Sequence, residues 1–123
     1  MEKINNLRNL FKRNKIDGYI VPKNDEFFGE YIPENKDNLK YISNFSGSYG
    51  FALILKKNNY LFVDGRYTLQ AKIQSGEFFK IITIPKTMPV DLLRNKKINI
   101  GYDPRLHTEL TLSYLFKKNK YKL

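Results

Sequence analysis

Two apolar runs, Phe51–Leu55 and residues 60–63, stand on either side of the polar tetrapeptide Lys56-Lys57-Asn58-Asn59. Each run has strand length and the gap has hairpin length, so the pair predicts two antiparallel neighbours in a sheet. Upstream, Ile4, Leu7, Leu10 and Phe11 make one helical stripe within residues 2–15, with Asn, Arg and Lys on the opposite face. Asp17-Gly18 is a turn pair that breaks this helix, and residues 19–21 read as a short buried strand stopped by Pro22. Residues 23–40 are loop-like, with a short helical turn expected around residues 37–41. Downstream, residues 66–75 are helical in pattern, with Leu69 and Ile73 four apart and Gly76 ending the helix as a C′ glycine. Residues 79–84 form the next strand, closed by Pro85. Residues 90–93 make one or two helical turns, and residues 98–102 a last strand before the turn at Asp103-Pro104. Thr108 caps a final helix carrying Leu110, Leu112, Leu115 and Phe116, with Glu109 in its first turn where negative charge is favoured. Strands alternating with helices, apart from one hairpin, predict an α/β fold: a mixed β-sheet flanked by helices, in a single domain over residues 1–123.

Composition narrows the function classes. Hydrophobic residues are 41% and aromatics 15% of 123 residues, enough apolar material for a core and against disorder. There is no Cys, which excludes a disulfide scaffold and thiolate metal sites. His107 is the sole histidine, so a site built on two imidazoles, or a Cys-His triad, is excluded within these residues. It sits beside Thr108 at a helix start, where a surface or capping role is the ordinary one. No run approaches the ~18 apolar residues needed to cross a bilayer. The polar start Met1-Glu2-Lys3-Ile4-Asn5-Asn6 lacks a signal core, so the expected location is the cytoplasm, with no membrane partner. The net charge of +10 raises the prospect of a nucleic-acid or acidic partner. Yet most of that charge is Lys spread beside Asn and Ile along the whole chain, a drift of composition as much as a patch.

Three groups of residues invite a chemical reading. Asp64-Gly65-Arg66-Tyr67 stands where a strand ends and a helix begins. Asp64 is placed to accept from free amides of the first helical turn, Gly65 permits the sharp turn, and Arg66 projects a planar fork suited to a carboxylate or a peptide carbonyl. An N-cap with an ordinary ion pair explains the same residues. Phe45-Ser46-Gly47-Ser48-Tyr49-Gly50 is a tight loop feeding a strand. It is no nucleophile elbow, because Ser46 stands where a Gly is required, and no P-loop, because Gly-Lys-Ser/Thr is missing. Its glycines supply backbone freedom and close approach. Asp25, Glu26, Glu30 and Asp37 are acidic residues of a loop region, interrupted by Phe27 and Phe28. They read as solvated charges or partners for Arg66 before they read as an acid–base pair or metal ligands.

The order of the motifs is more specific than any one of them. Asp17-Gly18-Tyr19-Ile20-Val21-Pro22 is followed by Asn24-Asp25 and Glu30-Tyr31-Ile32. Then come Tyr41-Ile42-Ser43-Asn44-Phe45-Ser46-Gly47-Ser48-Tyr49-Gly50, Val63-Asp64-Gly65-Arg66-Tyr67-Thr68-Leu69-Gln70-Ala71 and Ile100-Gly101-Tyr102-Asp103-Pro104. This series closely resembles the N-terminal domain of cytosolic-type Xaa-Pro aminopeptidases, the creatinase N-terminal domain family. The resemblance implies a ribonuclease-H-like sheet topology, and an Arg66 that reaches towards the peptide substrate. Asp25, Glu30, Tyr31, Gly47, Ser48, Gly50, Asp64, Gly65 and Tyr67 would be the structural motif around it. The family's two divalent metals, commonly manganese, lie in a C-terminal pita-bread domain that is expected to be absent here. No catalytic residue, metal ligand or cofactor is therefore assigned to this chain. Phe27 also takes the place of the family's His after Asp25.

The leading expectation is a non-catalytic N-terminal domain that shapes a substrate mouth and makes domain or subunit contacts. Its partners would be a separate catalytic domain, a second copy in a homo-oligomer, and a peptide only in the complete enzyme. Two alternatives differ in class: a basic module for nucleic acid or an acidic partner, and a truncated relic without function.

Overall fold

The structure, a computed structural model, describes residues 2–22, 38–47, 49–84, 86–93 and 99–102. In chain order these form α1 (Glu2–Asn14), β1 (Gly18–Pro22), α2 (Asn38–Ser43), β2 (Phe51–Leu55) and β3 (Asn59–Asp64). A 3-10 turn (Gly65–Tyr67), α3 (Thr68–Ser75), β4 (Lys80–Ile84), α4 (Pro89–Leu92) and β5 (Ile100–Gly101) follow. The strands make one five-stranded sheet in the order β4-β3-β2-β1-β5. The expected hairpin is present: β2 and β3 are antiparallel, with Phe51 opposite Phe62 and Leu53 opposite Tyr60. β1 joins β2 antiparallel, while β4 and β5 run parallel to β3 and β1. A parallel neighbour needs a crossover, and α3 supplies it between β3 and β4. The predicted helix from Thr108 lies outside the described residues.

All five residues of β2 are buried, because apolar layers cover both sides of the sheet. The side-chain period of two divides them. Ala52 and Ile54 share one face with Val21, Leu61 and Val63, under Ile4 and Phe11 of α1, Leu39 of α2, Phe45 and Ala71 of α3. Phe51, Leu53 and Leu55 take the other face with Ile20, Phe62, Ile100 and Leu93, edged by Met88 and Leu92. A polar clasp ties α1 to the hairpin. Arg8 donates from Nε to the Leu55 carbonyl at 2.8 Å and from Nη2 to Asn59 Oδ1, while Asn59 Nδ2 donates to Phe78 O at 3.0 Å. Asn59 is buried, so leaving these groups unpaired would cost the full desolvation of each.

The structure departs from the sequence expectations at three places. Leu10, counted in the α1 stripe, is 45% exposed: it lies about 120° round the helix from Ile4, beyond the buried face. The helix ends before Asp17-Gly18, at Lys15, which takes a left-handed conformation with φ 57°. Ile16 N then donates to Phe11 O at 3.0 Å, the long bond of a Schellman motif. Gly18 is the first residue of β1, and a Cβ there would stand 2.6 Å from Leu55 Cδ2, so close packing and not a turn requires glycine.

The third departure concerns α3. Leu69 and Ile73 are 73% and 76% exposed, and the buried residues are Ala71 and Ser75. The helix lies close enough to α2 for Ser75 Oγ to donate to Ser43 O at 2.7 Å, a distance that selects small side chains on the inner face. Gly76 keeps a right-handed φ of −64° and donates to Lys72 O, so the expected left-handed C′ glycine is absent there.

Asp17 bonds the first strand to the approach of the last. It accepts from Asn99 N at 3.0 Å, and its other oxygen pairs with Lys56 Nζ at 3.0 Å. The Asn99 amide first, and Lys56 after it, hold the carboxyl below the ordinary Asp range. A lowered folded-state value means stabilisation that is complete above the unfolded pKa, near 3.9, and is lost as pH falls through the folded one. Thermal melts between pH 7 and about 2.5 are therefore expected to decline more steeply for the wild type than for Asp17→Asn. Parallel curves would count against the bond to Asn99.

Candidate functional site

β3 delivers Asp64 to the end of the sheet, where its extended backbone (φ −66°, ψ 150°) opens the 3-10 turn. The Asp64 carboxylate accepts from Arg66 N at 2.9 Å and from Arg66 Nε at 3.2 Å, with Nη2 at 3.5 Å from the second oxygen. Gly65 between them leaves the approach open, the nearest atom to a Cβ being Thr83 Cγ2 at 3.8 Å. The Arg66 backbone amide first, then the guanidinium, hold the Asp64 carboxyl below its usual range, and Asp64 in turn raises Arg66. The Arg66 side chain is 76% exposed, so the pair contributes little to stability and is free to exchange partners. Among the described residues no other group binds the guanidinium, whose carbon stands 5.5 Å from the Tyr67 ring centroid.

Tyr67 leads back to the glycine loop. Its ring meets Phe45 edge-on, centroids 6.1 Å apart at 79°. Phe45 is fully buried and fills the space that side chains would need at Gly47 and Gly50. A Cβ on Gly47 would lie 2.2 Å from Phe45 Cζ, and one on Gly50 3.2 Å from Phe45 Cε2 and 3.0 Å from Phe62 O. None of the described glycines has positive φ; Asn44, after α2, takes that conformation at 67°.

Ser46 is bound from α3. Its amide donates to Gln74 Oε1 at 3.0 Å, and its hydroxyl oxygen accepts from Gln74 Nε2 at 2.8 Å and Gln70 Nε2 at 3.2 Å. With two amide donors on it and no base beside it among the described residues, this oxygen is a structural acceptor. Gln70 and Gln74 were missed as site residues, although their spacing of four puts both on one helical face. A second tie, Thr68 Oγ1 to Thr83 Oγ1 at 3.1 Å, fixes the start of α3 to β4. The loop, the turn and α3 thus form one unit that displays Arg66.

Asp25, Glu26, Glu30, Tyr31, Asp37, Ser48 and His107 lie outside the described residues. Among the described residues no three His, Cys, Asp or Glu gather as metal ligands, and no helix is long and apolar enough to cross a membrane.

The family model described as the creatinase/prolidase N-terminal domain matches residues 3–120. The chain belongs to this family. A curated relative of the creatinase N-terminal domain described here is Xaa-Pro aminopeptidase 1 of Dictyostelium discoideum, 36% identical over 113 residues. That match takes in 85% of this chain and 18% of the relative. A probable Xaa-Pro aminopeptidase P of Coprinopsis cinerea is 43% identical over 68 residues, or 55% of this chain and 11% of the relative. The domain thus spans between about a tenth and a fifth of such relatives. Among solved structures it is similar to the X-prolyl aminopeptidase of Caenorhabditis elegans, described as a cytosolic enzyme with a di-nuclear active site. The TM-score is 0.84 at 27% identity, covering 98% of this chain and 23% of that one. The N-terminal domain of the cytoplasmic peptidase PepQ from Mycobacterium tuberculosis shares the fold, with TM-score 0.76 at 18% identity and 91% of that chain covered.

Proposed function

We propose that this chain serves in the cytoplasm as the N-terminal domain of an Xaa-Pro aminopeptidase, and that it positions a peptide for a catalytic domain without cleaving it. The observation that carries this reading is the match over residues 3–120 to a domain whose curated relatives are aminopeptidases five or more times longer. The described residues do not fit a pair of divalent ions, since no cluster of carboxylates and imidazoles exists among them. A di-nuclear centre would therefore belong to the catalytic domain, where it would supply a metal-activated water for the Xaa-Pro bond.

Within this chain the working group is Arg66. Its pairing with Asp64 is exposed and weak, so a peptide carbonyl or carboxylate can take over the fork at small cost. Asp64 stays on the Arg66 amide and keeps the turn formed. Gln70, Gln74, Phe45 and Tyr67 hold the surrounding backbone, which makes the arginine a side chain that moves on a base that does not. Self-association is part of the same proposal, through surfaces that contact neighbouring domains or copies.

The chain alone, given manganese and an Xaa-Pro peptide, is expected to show no turnover. Mixed with a catalytic polypeptide of the family it should support turnover. Arg66→Ala should then raise KM about tenfold or more while changing kcat less. Cleavage by the isolated chain at the rate of a full-length enzyme would overturn the division of labour. An Arg66→Ala mixture indistinguishable from wild type would remove the role of that side chain.

A further inference from the structure

On the side of the domain away from the Arg66 turn, the end of α1, the link into β1 and the β2–β3 turn border an open cavity of about 580 Å³. Among the described residues its lining is Arg8, Phe11, Lys12, Lys15, Ile16, Asp17, Lys56 and Asn99: four cations and one carboxylate. Asp17 is already engaged by Lys56 and the Asn99 amide, and Arg8 by Leu55 and Asn59. Lys12 and Lys15 have no side-chain hydrogen bond or ion pair among the described residues. The helix dipole at the end of α1 accounts for Lys12 and Arg13 in its last turn and favours Lys15 just beyond it, but it does not account for Lys56 or Arg8.

Lys15 is the telling residue. It occupies the left-handed C′ position of the Schellman motif, where glycine or asparagine is the usual occupant. The chain therefore holds a strained lysine at the edge of a cationic cavity, at a place where glycine would be more stable.

We propose that this cavity binds a polyphosphate chain, free or as the tail of a nucleotide. Three surplus positive charges around one concavity call for several anionic oxygens close together, which a single carboxylate or monophosphate does not supply. Lys12 and Lys15 make the direct contacts, and Arg8 and Lys56 contribute a fixed field from behind. Phe11, the one aromatic side chain among the described lining residues, is 2% exposed and offers no face for stacking a base. That argues against a single-stranded nucleic acid as the ligand. The assignment is independent of the aminopeptidase reading, since none of its residues belongs to the Arg66 unit.

The experiment titrates the isotope-labelled 123-residue chain with inorganic triphosphate, and separately with ATP and oligouridine, at roughly 50 mM salt where electrostatic contacts persist. Triphosphate should give saturable amide shifts confined to the end of α1, residues 15–17, Lys56 and Asn99. Lys12→Gln/Lys15→Gln should weaken binding at least about tenfold, while Lys72→Gln on exposed α3 leaves it unchanged. Lys15→Gly should weaken binding and yet raise Tm by about 2–5 °C. ATP no tighter than triphosphate identifies the free chain as sufficient, and tighter ATP at the same amides identifies the nucleotide as its source. The absence of saturable shifts up to about 10 mM triphosphate would overturn the proposal. So would equal losses in Lys72→Gln, or preferential oligouridine binding with shifts spread beyond the cavity.

Discussion

Phe62→Ala is expected to remove about 3–5 kcal/mol of stability, the range for deleting a fully buried aromatic ring. Phe62 is completely buried in β3 and stacks on Phe51 directly across the hairpin, centroids 4.9 Å apart and planes 13° from parallel. Tyr60 leans on the same ring at 6.5 Å. Truncation would take away a cross-strand pair and leave a cavity against Leu53, Leu93 and Ile100 in one step. A small domain holds about 5–15 kcal/mol in total, so the variant should melt at least 10 °C below wild type, roughly, and lose most of its urea midpoint. Leu69→Ala, on the exposed side of α3, is the control and should stay within about 0.5 kcal/mol of wild type. A Phe62→Ala cost below about 1 kcal/mol would mean that the second face of the sheet is not packed as described.

Gly47→Ala is expected to cost about 2–3 kcal/mol, at the upper end for a single added methyl, because the new carbon has nowhere to go. It would stand 2.2–2.9 Å from three atoms of the Phe45 ring, which is itself fully buried. Relief requires the ring to move, and the ring supports Tyr67 at the base of Arg66. The variant should therefore disturb the amides of residues 64–67 as well as lower Tm. Phe45→Leu in the same molecule should recover part of the loss, since it removes the atoms that clash. A double-mutant cycle would then give a coupling of at least about 1 kcal/mol. Strict additivity would place the two residues apart and undo this account of the loop.

Local signals were legible in the sequence wherever one stretch of chain decides the outcome. The hairpin follows from two apolar runs and a four-residue gap, and the Asp64 cap follows from one side chain and the amide two residues later. The inner face of α3 was not legible. Eight residues with Leu69 and Ile73 at helical spacing suggest an apolar stripe, but contact with Ser43 of α2 favours Ala71 and Ser75 instead. That choice is made by a segment more than thirty residues away, and the hold of Gln70 and Gln74 on Ser46 likewise spans 24 and 28 positions. Lys15 was hidden for another reason. A left-handed lysine has no compositional mark, whereas the glycine a reader looks for stands three positions on, serving a different need.

The place of β5 beside β1 carries a temporal consequence. Asn99, 82 positions further along the chain, meets Asp17, and Gly18 lies alongside Ile100. During synthesis at ~5–20 residues per second, the early strand waits roughly 4–16 s for its late neighbour to leave the ribosome. Until then the nascent hairpin must shelter an unpaired border, which makes this the interval in which a newborn chain most needs a chaperone.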